Sequence, residues 1–276
     1  MTGEPWTRGL FDDAAVFPPG LAPLPDAVAA HDHHTTAWYA DMVGPLVVSA
    51  SALDELAAVL TGRGPSPAIV VTVPAGPDGI PDVLAKTADL PVTLEGLEIA
   101  VPQGVDASTL RCAVDSLPVP VAVEIPRDER RVPLLHALSG TGHRAKFRTG
   151  GTSAEAYPDE AELATVIREA AKAGVAFKAT AGLHHAIRNT DAETGFEQHG
   201  FLNLLLATEA AARETSDEEV RSLLAERDAA TVAARVRELP PQRLLLARKR
   251  FTSFGTCSVT DPLTDLTDLG LIGAPA

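Results

Sequence analysis

Short runs of alternating apolar residues take turns with amphipathic stretches of helical period along this chain. Side chains of a strand point to alternate faces. In Arg144-Ala-Lys-Phe-Arg148, Ala145 and Phe147 therefore share one face, and Lys146 and Arg148 the other. In the run that starts at Val175, Val175, Phe177 and Ala179 oppose Lys178 and Thr180. Between these runs, Asp159 to Gly174 reads as an amphipathic helix closed by a glycine cap. Strand, helix, strand is a βαβ unit, so the two strands are expected to be parallel with their lysines side by side.

The same rhythm extends in both directions. Upstream strands are expected at Leu10 to Gly20 (broken by Pro-Pro-Gly), Pro45 to Ala50, Ala68 to Pro74, Leu94 to Pro102 and Val119 to Pro126. Helices are expected from about Pro25 to Met42, after Ser51 up to a Gly62–Pro67 loop, from about Ile80 to Thr87, from Ala107 to Leu117 and from Glu129 to Leu138. Downstream, His199 to Arg213 is helical, a second helix opens at the capping box Ser216 to Glu219, and Arg250 to Cys257 is the last strand. Asp261-Pro262 then opens a final helix.

Eight strands alternating with helices, without a composition break, predict a single (β/α)8 TIM-type barrel over residues 1–276. The alternative is an open doubly wound parallel sheet. Closure is favoured because strands four to seven each carry an ionisable residue opposite their apolar stripe: Glu98, Glu124, Lys146 with Arg148, and Lys178. A barrel interior gathers such residues, whereas a second helix layer would have to bury them. No glycine-rich dinucleotide fingerprint follows the first strand.

Composition narrows the function classes. A formal net charge of −14 over 276 residues disfavours nucleic acid and anionic membranes as partners. No apolar run approaches the roughly 20 residues of a membrane span, and Met1 to Trp6 does not read as a signal peptide. Two lone cysteines, Cys112 and Cys257, without zinc spacing suggest a reducing, cytoplasmic setting. Barrels of this kind often form homodimers, but no stretch marks an interface.

Burying charge costs several kcal/mol per ion unless partners are well placed, so the inward charges are candidates for chemistry. A lysine beside another cation in a partly dry barrel is expected to have a depressed pKa, as a Schiff-base nucleophile needs. Lys146-x-x-Thr149-Gly150, followed 32 residues after Lys146 by Lys178-Ala-x-x-Gly182-Leu183, resembles the lysine pair of the deoxyribose-phosphate aldolases and related class I aldolases. The resemblance covers roughly Arg144 to Leu183, with a weaker echo at Glu98-Ile99. It implies that Lys146 forms the Schiff base, that Lys178 lowers its pKa, and that no organic cofactor takes part. The family's proton-moving aspartate lies two residues beyond the position of Glu98, which here is Ala100.

The expected reaction is carbon–carbon cleavage or formation on a small phosphorylated or carboxylated carbonyl compound. Glu124, Glu98 or His184 would move protons. Arg148, Thr149, Gly150, Gly151, Thr180, His185, Ser253, Gly255, Cys257 and Ser258 are the candidate substrate-binding residues, with the Gly255–Ser258 turn suited to an anion. Cys257 itself is read as loop packing, since no partner histidine is identifiable. Two alternatives remain open. One is a metal-dependent lyase or hydrolase using His184, His185 and His199 with a carboxylate such as Asp12 or Asp13. The other is a non-catalytic anion-binding barrel. One of Asp12 and Asp13 is expected to face inward. His31, His33 and His34 are expected at the surface, and His136 and His143 carry no functional signal.

Overall fold

The computed structural model describes residues 4–64 and 66–273. Met1 to Gly3, part of the segment read for a signal peptide, and Pro65, in the loop after the second helix, lie outside the described residues. Eight parallel strands close into a barrel: β1 (Phe11–Asp13), β2 (Val43–Ser49), β3 (Ala68–Val73), β4 (Thr93–Ile99), β5 (Val121–Glu124), β6 (Arg144–Arg148), β7 (Phe177–Thr180) and β10 (Phe251–Thr256). β1 pairs with both β2 and β10, which closes the ring and removes the open-sheet alternative. A two-stranded antiparallel hairpin, β8 (Asn189–Thr190) and β9 (Glu197–Gln198), stands apart in the loop after β7.

Helices α1 (Leu24–His34), α2 (Leu53–Leu60), α3 (Ile80–Ala88), α4 (Ala107–Val114), α5 (Arg131–Ala137) and α6 (Glu160–Ala173) each follow a strand. α6 begins where the Asp159 carboxylate accepts the Glu162 N–H and ends at Gly174, as its sequence predicts. The outward faces of the strands form the main core with the helices. Val121, Val123, Ala145, Phe147, Phe177 and Ala179 are all buried there, and Phe177 lies between Phe147 and Phe251 at centroid distances of 4.8 and 5.3 Å. No helix among the described residues is long and apolar enough to cross a membrane.

Three expectations need correction. α1 stops at His34 instead of running to Met42, because the Thr35 and Thr36 hydroxyls bond back to the Asp32 and His33 carbonyls and turn the chain. His31 is not at the surface: its Nδ1 lies 3.0 Å from Asp13 Oδ2, and both groups are buried between α1 and β1. Lastly, four helices, not two, fill the segment between β7 and β10. They are α7 (Phe201–Ala212), α8 (Asp217–Ala225), α9 (Ala229–Glu238) and α10 (Pro241–Arg250), and α11 (Thr260–Asp268) follows the last strand. α7 packs against α6, α8, α9 and α10, so Phe201 through Ala211 are buried on every side. Its polar residues are satisfied inside that sheath: Asn203 donates to the Leu223 and Glu226 carbonyls, and Glu209 pairs with Arg213 and Arg243.

Candidate active site

Register determines which side chains meet inside the barrel. Lys146 on β6 sits beside Lys178 on β7, with Arg148 beside Thr180 one layer nearer the carboxy-terminal mouth. Glu98 on β4 has Ala122 as its neighbour on β5, and that small side chain leaves a gap through which the carboxylate reaches both lysines. Glu98 Oε2 is 2.8 Å from Lys146 Nζ, and Glu98 Oε1 accepts a hydrogen bond from Lys178. Lys146 Nζ is also 3.0 Å from Glu124 Oε2, whose other oxygen lies 3.3 Å from Arg148 Nε. At the opposite end Lys178 donates to Asp12, which also accepts the Ser253 hydroxyl at 2.9 Å. The result is a ladder of alternating charge, Asp12–Lys178–Glu98–Lys146–Glu124–Arg148, that closes across β1, β7, β4, β6 and β5.

Exposure grades along it. The side chains of Lys178 and Glu98 are 2% and 3% exposed, that of Lys146 is 9%, that of Glu124 is 27% and that of Arg148 is 47%. Burial alone would raise the Glu98 carboxyl, but the Lys146 and Lys178 ammonium groups outweigh it and hold its pKa at about 2. Glu124 is lowered in the same way by Lys146 and Arg148. Burial would depress Lys178, yet Asp12 and Glu98 together raise it. Lys178 is therefore the firmly protonated member of the lysine pair, because two carboxylates, Asp12 and Glu98, face it.

The remaining candidates divide by partner. The buried Thr149 hydroxyl donates to the Ala181 carbonyl at 2.7 Å and ties the end of β6 to that of β7. Gly150 and Gly182 pass so closely that a Cβ on Gly150 would lie 2.9 Å from the Gly182 Cα and 2.8 Å from the Tyr157 ring. A Cβ on Gly151 would meet Ala156. These three residues shape the mouth by letting two loops touch. β7 ends at Thr180 because Ala181 and Gly182 both take left-handed backbone, with φ of 67° and 68°. For Ala181 this stores on the order of 1 kcal/mol.

Thr180 Oγ1 is buried and is the one such side-chain polar atom among the described residues without a hydrogen-bond partner. Ser253 serves Asp12, while Gly255 sits beside both Thr180 and Asp12 in the sheet. The Ser258 hydroxyl accepts the Asp261 N–H at the start of α11.

His184, His185 and His199 are not brought together. His184 Nδ1 lies 3.6 Å from Cys257 Sγ, the histidine partner that sequence inspection missed because it resides on the neighbouring strand's loop. Burial lowers the imidazole and raises the thiol, so this pair is neutral. His185 is exposed, 3.2 Å from Asp265 on α11. His199 is fully buried, donates from Nε2 to the Pro158 carbonyl at 2.8 Å, and has Arg188 at its other nitrogen. No group of three or more His, Cys, Asp or Glu side chains among the described residues is arranged to hold a metal ion.

His199 yields a pH prediction. Burial, reinforced by Arg188, lowers its pKa from 6.5 to about 4. The unfolded chain thus takes up this proton near pH 6.5, whereas the folded protein refuses it until about 4. Its contribution is present above 6.5 and is lost as pH falls toward 4, on the order of 3 kcal/mol. The Glu98 contribution disappears later, from about 4.5 down through 2. Urea denaturation at pH 7 and pH 4.5 should show a smaller drop for His199→Gln than for the wild type, and equal drops would refute the assignment.

No family model matches the chain, and no curated protein matches it.

Proposed function

We propose that the protein is a Schiff-base carbon–carbon lyase of the class I aldolase type, acting on a small carbonyl compound that carries a carboxylate or phosphate. The observation that carries this reading is the position of Lys146. It is the more open of the two inward lysines, on the mouth side of the ladder, and 3.0 Å from a partly exposed carboxylate. TIM-type barrels place their chemistry at that carboxy-terminal end.

An ammonium cannot attack a carbonyl, so Lys146 must first lose a proton. Glu124 is the better acceptor, since Glu98 is fully buried with a pKa of about 2 and Glu124 is open to the mouth. Attack of the neutral Nζ on the carbonyl carbon gives a carbinolamine. Loss of its hydroxyl as water, with protons returned through Glu124, gives the iminium ion. That ion then accepts the electron pair of the breaking carbon–carbon bond and becomes an enamine, while the β-hydroxyl gives its proton to Glu124 and its carbon leaves as a carbonyl product. Reprotonation of the enamine carbon and addition of water release the second carbonyl product and return Lys146 as the free amine. Lys178, kept protonated by Asp12 and Glu98, stays as a fixed cation behind the reacting amine. Arg148 and the unpartnered Thr180 hydroxyl lie side by side above it, suited to the substrate's anionic group.

A non-catalytic anion-binding barrel is the second reading, favoured by the completeness of the ladder, in which each lysine already has two carboxylates. Borohydride reduction in the presence of small aldehydes, ketones and keto acids separates the two. The expected result is a reduced adduct that peptide mass spectrometry places on Lys146. An adduct on Lys178 would exchange the lysine roles, and failure to trap any carbonyl compound would remove the Schiff-base reading.

A further inference from the structure

A second opening lies at the other end of the barrel. A cavity of about 280 Å³ is walled by residues at or near the starts of the strands, among them Gly44, Gly96 and Arg144, and it reaches Asp12, Glu98 and Lys178 from beneath. Gly44 in its wall lets the Asp12 carboxylate lie against the β2 backbone, because a Cβ there would be 2.3 Å from Asp12 Oδ1. Lys178 is therefore approached from the amino-terminal face, while the half-exposed Arg148 marks the carboxy-terminal mouth.

Charge inside the cavity is uneven. Asp12 and Glu98 are already matched, the first by Lys178 and Ser253, the second by both lysines. Arg144 shares the inward face of β6 with Lys146, but its one hydrogen bond is a long contact of 3.3 Å to Thr252 Oγ1. Among the described residues it is the inward-pointing cation of the barrel without a carboxylate partner. Most of its five donors are unspent, and one of the three Lys178 donors is too. Below them Arg248, bonded to the Trp6, Arg8, Gly9 and Phe251 carbonyls, adds a further positive charge that Asp12 feels. The carboxylate left over, Glu95, sits exposed on the rim.

We propose that the amino-terminal end of the barrel holds a second small-molecule site, which takes a compact carboxylate on the Arg144 guanidinium with Lys178 at its inner end. The planar fork of arginine matches a carboxylate in two parallel hydrogen bonds. A monoanion suits the space better than a dianion, which would meet Asp12, Glu98 and Glu95 around the same cavity.

The test is an NMR titration of the full chain with acetate and glycolate, following the Arg144 Nε–H and the Gly44 and Gly96 amides. Saturable shifts at these positions are expected, unchanged in Lys146→Arg and weakened roughly tenfold or more in Arg144→Gln. Arg144→Lys, which retains the charge and loses the fork, should weaken binding less and serves if the glutamine variant does not fold. The proposal is overturned if neither probe gives a saturable shift, if binding survives Arg144→Gln, or if the shifts centre on Arg148 and Thr149. Tighter binding of inorganic phosphate at the same amides would overturn the assignment to a carboxylate.

Discussion

Replacing Lys146 by arginine is expected, on the proposed Schiff-base chemistry, to lower turnover at least roughly 10³-fold and to abolish borohydride trapping, while the fold persists. A guanidinium retains the positive charge that Glu98 and Glu124 surround, so neither carboxylate is left uncompensated. It cannot become a neutral amine in this setting, and so cannot form an imine. The variant thus separates chemistry from architecture. Full activity in a folded Lys146→Arg protein, judged by an unchanged denaturation midpoint, would end the proposal that this residue is the nucleophile. Loss of activity together with loss of the fold would instead mean that the side chain is needed for the ladder's geometry, and trapping on the wild type would then decide.

Lys178→Met should act mainly on stability. It removes the cation that Asp12 and Glu98 share at the most enclosed point of the barrel. Breaking a buried pair by deleting one partner costs about 3–5 kcal/mol, because the charge left behind has lost both its water and its counter-ion. Ser253 and Lys146 still reach the two carboxylates, which keeps the loss toward the lower end of that range. A second change, Asp12→Leu, removes one of the stranded charges and should return part of the loss, since contacting residues are not additive. Urea denaturation of the two single variants and the double variant measures this. A loss of less than about 1 kcal/mol for Lys178→Met would indicate that solvent reaches the cluster and that it is not a buried network.

The architecture was legible because it rests on periodicity. Strands β4 to β7 show a two-residue alternation, β2 and β3 are short apolar runs between turn signals, and the interior charges Glu98, Glu124, Lys146 and Lys178 fall opposite the apolar face in the sequence itself. Their partners were not legible. Asp12 and Asp13 are adjacent and identical in type, so only the register of β1 against β10 assigns one to Lys178 and the other to His31. The Cys257–His184 contact joins loops 73 residues apart. Between β7 and β10 the sequence places α7 and the start of α8 correctly, the latter through its Ser216 cap. It does not separate α9 and α10, whose start signals are single residues, the Asp228 cap and Pro241, next to short polar links.

The distribution of interior charge between the two ends of the chain bears on how the barrel assembles. β1 to β4 contribute only carboxylates to the ladder, Asp12 and Glu98, whereas β5 to β10 contribute Lys146, Arg148 and Lys178 against the single carboxylate Glu124. Neither half, folded as a four-stranded layer, could neutralise its own inner surface. The closing contact, between Asp12 and Lys178, spans 166 residues. The two halves of the barrel carry opposite excess charge on their inner surfaces, so charge, burial and topology are satisfied together only in the closed ring.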